Sequence, residues 1–233
     1  MAEKRLIPSI EKRLESLIEV GRRNLSGYSV KEKEKAGPTI TISREFGCEG
    51  YPAAEKLQAL LQEKTGKAWA LMDKALLEEV ARNHHLSTDV LKHLGEKNSF
   101  LDDMMSTFSP HWQNDKDAYK LLCRQIVAFA AAGNAIIVGV GASILTQKMG
   151  NCHHFRLIAP AEFKKASIAR RLAVTTDEAE KLISRKQRQR EDFIKDFLGR
   201  DVADPTLYHL IFNNGKNSAE QIAATICHYV LSR

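Results

Sequence analysis

A loop with two glycines follows a short β-branched segment near residue 40, and its composition suits the binding of an anion. Gly47 and Gly50 lie in the loop, and Pro52 stands where a helix could begin. Glycines let a backbone approach a phosphate closely, and a helix N-terminus presents free N–H groups and the positive end of its dipole. The loop therefore predicts a phosphate site; an ordinary strand-to-helix turn is the alternative. The candidate residues are Ser43, Gly47, Cys48, Glu49, Gly50 and Tyr51.

Arginines are the candidate groups for stabilising a phosphate beside this loop. Arg44 comes at the end of the β-branched segment, and Arg185, Arg188 and Arg190 form the densest basic stretch of the chain. Catalysis of phosphoryl transfer depends almost entirely on positioning and on stabilisation of negative charge, so we assign these four a catalytic role. A solvated helix face is the alternative interpretation of the basic stretch.

Acidic residues and cysteines give weaker indications. Glu45 or Asp73 could help to place Mg²⁺, which takes carboxylates together with phosphate oxygens. The four cysteines are scattered without a C-x-x-C pair, which argues against a zinc site or a disulfide framework. Cys152, His153 and His154 are consecutive, but neighbouring residues on a strand point to opposite faces. We therefore assign no residue as a metal ligand.

The elements that must position these residues alternate between strands and helices. Such alternation predicts a parallel sheet with helices on both faces. Hydrophobic patterns and caps predict strands at 39–43, 68–72, 135–140, 154–158 and 208–212. They predict helices at 9–23, 53–62, 74–83, 88–94, 118–132, 161–172, 176–197 and after 218, with irregular chain over 98–117. The polar stretch 24–38 is expected to be a linker.

Composition limits the partners that the protein can have. The chain has 233 residues, of which 43% are hydrophobic and 27% charged, and a net charge of +6. The charge favours anionic partners, but no basic run is interleaved with aromatics as a platform for single strands requires. No apolar run approaches the ~20 residues of a membrane span, and the secretory pattern is missing, so we expect a cytoplasmic protein without membrane contact. The N-terminal helix is expected to pack on the domain or to mediate a homodimer.

Segments spread along the chain carry a resemblance in their order. The loop segment 40–47 comes first, Asp73-Lys74 follows, and the glycine turn within 136–142 is next. Further on are the segment 155–160, Arg190 with Phe193, Asp204-Pro205, Tyr208 and Asn213. From 38 to the C-terminus this set resembles the cytidylate kinase-like family, a branch of the P-loop nucleoside monophosphate kinases.

The resemblance implies a P-loop NTPase-type α/β fold, with strand order 2-3-1-4-5 and a helical lid. It divides the chain into an N-terminal helix and linker, 1–37, and a kinase-like domain, 38–233. ATP with Mg²⁺ would bind at the loop, and the lid arginines would close over the transferred phosphate. CMP, dCMP or a similar acceptor would bind near Asp73, Lys74, Gly139 and Gly141.

The chain also departs from the family pattern. The general P-loop motif ends in Gly-Lys-Ser/Thr, and this loop has neither the lysine nor the hydroxyl. Tyr51 and Val140 stand where the family resembled carries arginines, and Gln187 stands where it tends to carry aspartate. Glu49 enters the loop as a carboxylate and is expected to weaken triphosphate binding. Two functions follow: a nucleoside monophosphate kinase with a degenerate phosphate loop, or a catalytically inactive nucleotide-binding regulatory or scaffold protein.

Overall fold

The computed structural model describes residues 9, 12–13, 36–77 and 115–232. The predicted helix at 88–94, most of those at 9–23 and 74–83, and the segment 98–114 lie outside the described residues. Residues 74–77 are helical, as predicted.

Five parallel strands form the centre of the fold, in the order β2-β3-β1-β4-β5. The predicted order is confirmed, with β1 in the middle. The register aligns Thr39 of β1 with Ala135 of β3 on one side and with Cys152 of β4 on the other. All strands therefore end at one edge of the sheet, where the glycine loop leaves β1. The strands are β1 (Thr39–Arg44), β2 (Ala70–Asp73), β3 (Ala135–Val138), β4 (Cys152–Ile158) and β5 (Leu210–Asn213).

Helices cover both faces of the sheet. Because side chains alternate along a strand, Ile136 and Val138 join one core while Ile137 joins the other. The first core includes residues of α1 and α6, and the second includes residues of α2. The helices are α1 (Gly50–Thr65), α2 (Asp115–Ala132), α3 (Ala142–Leu145), α4 (Ala161–Leu172), α5 (Thr176–Leu198) and α6 (Ala219–Leu231). In the described part of the chain, none of them is both long and apolar enough to cross a membrane.

Local sequence chemistry explains where several helices begin and end. Thr175 and Ser218 each accept a hydrogen bond from the third helical amide, and the side chains of Glu178 and Gln221 accept one from the amide of that cap residue, so α5 and α6 both begin with a capping box. Helix α2 ends at Gly133, which has a φ of 77° and donates its amide to the carbonyl of Phe129.

Several predicted boundaries were wrong. Strand β3 ends at Val138 instead of residue 140, because residues 139–141 all have positive φ. Strand β4 begins at Cys152, two residues early, where it pairs with Thr39. Tyr208 precedes β5, since its amide closes a short 3₁₀ turn by donating to the carbonyl of Pro205. Residues 115–117 were assigned to irregular chain and are the first residues of α2.

Candidate phosphate-binding site

The glycine loop leaves β1 at Arg44 and enters α1 at Gly50. Gly47 has a φ of 101°, and a Cβ there would lie 2.7 Å from Cβ of Lys164, so glycine lets the loop press against α4. Two loop amides donate to side chains: that of Phe46 to Oε1 of Gln187 at 2.8 Å and that of Glu49 to Oδ1 of Asn214 at 2.7 Å. The amides of Gly47, Gly50 and Tyr51 have no partner among the described residues, and they remain as donors for an anion.

Arg44 connects the loop to the turn after β3. A Cβ on Gly50 would lie 3.2 Å from Cγ and Cδ of Arg44, and a Cβ on Gly139 would overlap its Nη1. The absence of a side chain at both glycines therefore admits the guanidinium between the two segments. The structure thus brings together three residues that the sequence analysis had assigned separately.

Three arginines share a region beside the loop. The guanidinium of Arg190 lies over the ring of Phe46, 4.9 Å from its centre. Burial, followed by the positive charge of Arg190, lowers the pKa of Arg44 to about 9, although the Asp73 carboxylate acts in the opposite direction. Burial also lowers the pKa of Arg190, with Arg171 as the next cause, and burial lowers the pKa of Arg171 itself. None of the three has a carboxylate oxygen within 4 Å in the described part of the chain.

This cluster of like charges indicates an anion site. Partly buried cations that repel one another are unfavourable without a counter-charge. The only groups within the loop that could supply one are Glu45 and Glu49, and both are paired elsewhere. Nζ of Lys164 lies 2.7 Å from Oε2 of Glu45, and Nη2 of Arg170 lies 2.9 Å from Oε1 of Glu49. The Glu49 carboxylate thus contacts Arg170, and its charge also raises the pKa of Arg171.

The residues present do not fit a preformed magnesium site. Glu45 is paired with Lys164, and Oδ1 of Asp73 lies 2.7 Å from Nη1 of Arg13. The hydroxyl of Ser43 accepts from Arg156 at 3.1 Å and faces the Tyr208 hydroxyl at 3.2 Å. Within the described ranges, no three His, Cys, Asp or Glu side chains come together as a metal site. The two carboxylates expected to place Mg²⁺ are thus held by cations.

The remaining predicted residues divide between site and surroundings. Burial raises the pKa of the Cys48 thiol to about 12, so it is neutral in the loop. Lys74 is exposed just beyond Asp73. Gly141 packs beneath Leu198 and Ile194 of α5, which gives it a packing role at the end of the lid. Arg185 and Arg188 are exposed, and neither forms an ion pair or hydrogen bond with a described residue. Of the three arginines predicted in the lid, Arg190 is the one that contacts the loop.

The sequence profile of the cytidylate kinase-like family matches residues 39–216, which is most of the chain. The chain belongs to the cytidylate kinase-like family. Its structure is similar to that of an uncharacterized protein from Eubacterium ventriosum ATCC 27560, with 21% identity, a TM-score of 0.66, and coverage of 86% of this chain and 100% of that one. This likeness shows a shared fold.

Weaker structural likenesses extend to a shikimate kinase from Bacteroides thetaiotaomicron and to TT1252 from Thermus thermophilus. The shikimate kinase has 13% identity and a TM-score of 0.45, covering 83% of this chain and 98% of that one. TT1252 has 16% identity and a TM-score of 0.41, covering 85% and 98%. A comparison with curated proteins finds no match. Membership of the cytidylate kinase-like family describes a nucleotide kinase-like protein.

The turn after β3 is strained at a position where this member of the cytidylate kinase-like family departs from the pattern. Val140 has a φ of 52° between Gly139 at 81° and Gly141 at 73°. A β-branched residue rarely adopts this conformation, and such strain is concentrated at functional sites. The hydroxyl of Tyr119 donates to the Val140 carbonyl at 3.3 Å and helps to hold the turn. The turn is thus kept in shape beside Arg44 although its family arginine is missing.

Helix α5, which the resemblance assigns as a lid, is anchored at its C-terminal end. Phe193 and Phe197 stack with ring centres 4.3 Å apart, and both meet the edge of Tyr119, at 4.8 and 4.9 Å. Its middle contacts the loop through Gln187 and Arg190. Helix α5 therefore contacts the glycine loop in this structure.

Sequence reasoning missed the cations supplied by α4 and β4. Lys164, Arg170 and Arg171 belong to α4, which follows β4 at the same sheet edge as the loop. The parallel topology contained this information, because a helix that follows a neighbouring strand begins beside the loop. Arg156 could have been found in the same way, since it is aligned with Ser43 in the register of β4 with β1.

Proposed function

We propose that this chain is a nucleoside monophosphate kinase that binds ATP at the glycine loop and transfers its γ-phosphate to CMP, dCMP or a similar acceptor. The observation that carries the proposal is that Arg44 lies against Gly50 and Gly139 while Arg190 covers the Phe46 ring, and neither has a carboxylate oxygen within 4 Å among the described residues. Membership of the cytidylate kinase-like family supports the reaction class. The cytoplasm, where both nucleotides occur, is the compartment that we propose.

The chain's own groups divide the work of binding between the loop and the arginines. The amides of Gly47, Gly50 and Tyr51 would donate to phosphate oxygens at the N-terminus of α1. Arg44, Arg171 and Arg190 would offset the negative charge of the triphosphate and of the phosphoryl group during its transfer. Because Arg190 belongs to α5, closure of this helix would place the Arg190 charge beside the phosphates and would also exclude water from the site.

The transfer itself needs little proton chemistry. An oxygen of the acceptor's phosphate monoester attacks the γ-phosphorus of ATP, and the bond from that phosphorus to the β,γ-bridging oxygen breaks to release ADP. The attacking oxygen is already anionic near neutral pH, since the second pKa of a phosphate monoester is about 6. The task left to the protein is to hold two anions in line, which is a task for arginines and amides.

The acceptor would bind at the sheet edge formed by β2 and β3. Asp73 ends β2 and is aligned with Val138, immediately before Gly139 and the strained turn. Asp73, Lys74 and Gly139 are the residues that we assign to this side. Gly141, which packs against α5, would act indirectly by shaping the turn.

A specific set of contacts favours the second function, nucleotide binding without transfer. The loop lacks the lysine of the general motif, and the amides of Phe46 and Glu49 already donate to Gln187 and Asn214. Glu45 and Asp73 are held in ion pairs. A regulatory protein that senses nucleotide would tolerate all of these features, whereas an enzyme must compensate for them.

Calorimetry followed by product analysis separates the two functions. ATP and CMP are titrated singly into the purified chain, and then incubated together with it while ADP and CDP are quantified chromatographically. The kinase proposal expects both nucleotides to bind and CDP to accumulate in proportion to protein. Binding without formation of the corresponding diphosphate from any of the common pyrimidine and purine monophosphates would establish the binding function instead. Absence of ATP binding would contradict both.

A further inference from the structure

Arg13 reaches the candidate site from outside the region that matches the family. Ser9 begins a helical turn: its hydroxyl accepts from the amide of Lys12 at 3.4 Å, and its carbonyl accepts from the amide of Arg13 at 3.2 Å. Ser9 therefore acts as an N-cap. The family match starts at residue 39, so Arg13 belongs to the N-terminal extension.

The side chain of Arg13 is buried against two residues of the candidate site. Its exposed fraction is 8%, and its guanidinium carbon lies 5.7 Å from the centre of the Tyr51 ring. Nη1 lies 2.7 Å from Oδ1 of Asp73 as an ion pair, but its geometry does not form a hydrogen bond. The guanidinium forms a side-chain hydrogen bond with Tyr51, whereas Nη1 and Nε are buried without a hydrogen-bond partner. A buried donor without an acceptor is unfavourable, and it points to a ligand that supplies one.

The charges around Arg13 leave room for an anion. Asp73 lies close enough to Arg44 to raise the pKa of that arginine, so a single carboxylate lies near two guanidinium groups. The pair is at the carboxyl edge of the sheet, where Asp73 is aligned with Val138 at the end of β3. A phosphate monoester that entered here would meet two guanidinium groups and two planar N–H donors of Arg13 without a hydrogen-bond partner, which are the features that bind phosphate.

We propose that Arg13 binds the phosphate of the acceptor nucleotide, and that the N-terminal extension thereby completes the acceptor site. The proposal rests on the proposed function. In it, Arg13 supplies a positive charge that Tyr51 and Val140 do not provide, since both stand where the family carries arginines. Tyr51 packs beneath the guanidinium in place of a charged side chain, and Asp73 orients it. The ligand class is a nucleoside monophosphate bound through its phosphate.

The test compares Arg13→Gln, Arg13→Lys and the matched control Lys12→Gln, an exposed neighbour in the same helical turn. Calorimetry measures CMP and ATP separately for each variant. We expect Arg13→Gln to weaken CMP binding by about tenfold to a hundredfold, the range for a lost charge-assisted pair, with ATP affinity within about twofold. Arg13→Lys should recover part of the loss, and Lys12→Gln should match the original chain. In turnover, the KM for the acceptor should rise while the KM for ATP stays constant.

The contrary results are distinct from failure of the proposed function. If the original chain binds both nucleotides and Arg13→Gln binds CMP equally well, the role of Arg13 is wrong and the kinase proposal stands. Equal losses for ATP and CMP, together with a lower melting temperature, would show a structural role and overturn the inference. If Arg13→Gln does not fold, Arg13→Lys decides: undiminished CMP affinity contradicts bidentate binding. A chain that binds neither nucleotide overturns both proposals.

Discussion

The charged residues around the glycine loop differ in the partners that they contact. Glu49 illustrates why the sequence could not predict this sorting: its position in the loop indicated a like charge beside phosphate, whereas its carboxylate lies 2.9 Å from Arg170. The sequence did identify Arg44 and Arg190, because one follows a strand and the other lies in a basic stretch. It could not separate Arg190 from Arg185 and Arg188, since the face of α5 that meets the loop depends on the packing of Phe193 and Phe197.

A buried histidine makes stability depend on pH. His154 is 1% exposed, its Nδ1 lies 2.9 Å from the hydroxyl of Thr41, and its amide donates to Nδ1 of His209. Burial, followed by the charges of His209 and His153, lowers the pKa of His154 to about 4 from 6.5. As pH falls below 6.5, the unfolded chain takes up this proton before the folded one does. The free energy of unfolding should therefore fall by about 2 kcal/mol between pH 7 and pH 5.

Urea unfolding at both pH values measures this effect. His154→Gln should flatten the pH dependence between 7 and 5, because it removes the titrating group. His228→Gln, at an exposed position of α6, should leave the dependence unchanged. A His154→Gln variant with the slope of the original chain would show that other groups cause the acid sensitivity.

Helix α5 and the glycine loop are the elements whose contact determines access to the site. Gln187 accepts from the Phe46 amide, and Arg190 covers the Phe46 ring, so the middle of the helix is held by two weak contacts. The aromatic cluster with Tyr119 anchors the end of the helix more firmly. The capping box and charge pattern predicted a helix here. The side of the loop that it meets follows from tertiary packing, which no local pattern encodes.

Hydrogen exchange tests whether this helix acts as a lid. We expect ATP to slow exchange over 176–190, because phosphate adds a partner for Arg190 and favours closure. Residues 193–198 should change little, since their aromatic contacts already protect them. The variants Gln187→Ala and Gln189→Ala form a matched pair: the first should speed exchange over 176–190 without ATP, and the exposed second should not. Unchanged exchange across the helix at saturating ATP would mean that α5 is a fixed surface.

At the scale of the whole molecule, the alternation of strands and helices predicted the parallel sheet, and the resemblance to the cytidylate kinase-like family predicted the strand order. The least predictable part of the site consists of contacts between residues that are far apart in the sequence. Arg13 and Asp73 are 60 positions apart in the numbering of the chain, and Arg156 and Ser43 are also distant. Pairing of this kind depends on which segments meet at the carboxyl edge of the sheet. The strand boundaries of β3 and β5 were wrong because turns with positive φ or 3₁₀ geometry interrupt otherwise apolar runs.

The central claim is that the glycine loop with its three arginines is a triphosphate site. The most direct measurement is the calorimetric Kd for ATP of the original chain and of Arg44→Gln, Arg171→Gln, Arg190→Gln and the exposed control Lys186→Gln, in low and high salt. We predict that each of the first three variants weakens ATP binding by about tenfold or more, as expected for a partly buried cation paired with phosphate. Lys186→Gln should remain within about twofold of the original chain, and added salt should weaken binding least in the arginine variants. Equal ATP affinity in all five proteins would contradict the account, because the arginines would then not face the nucleotide.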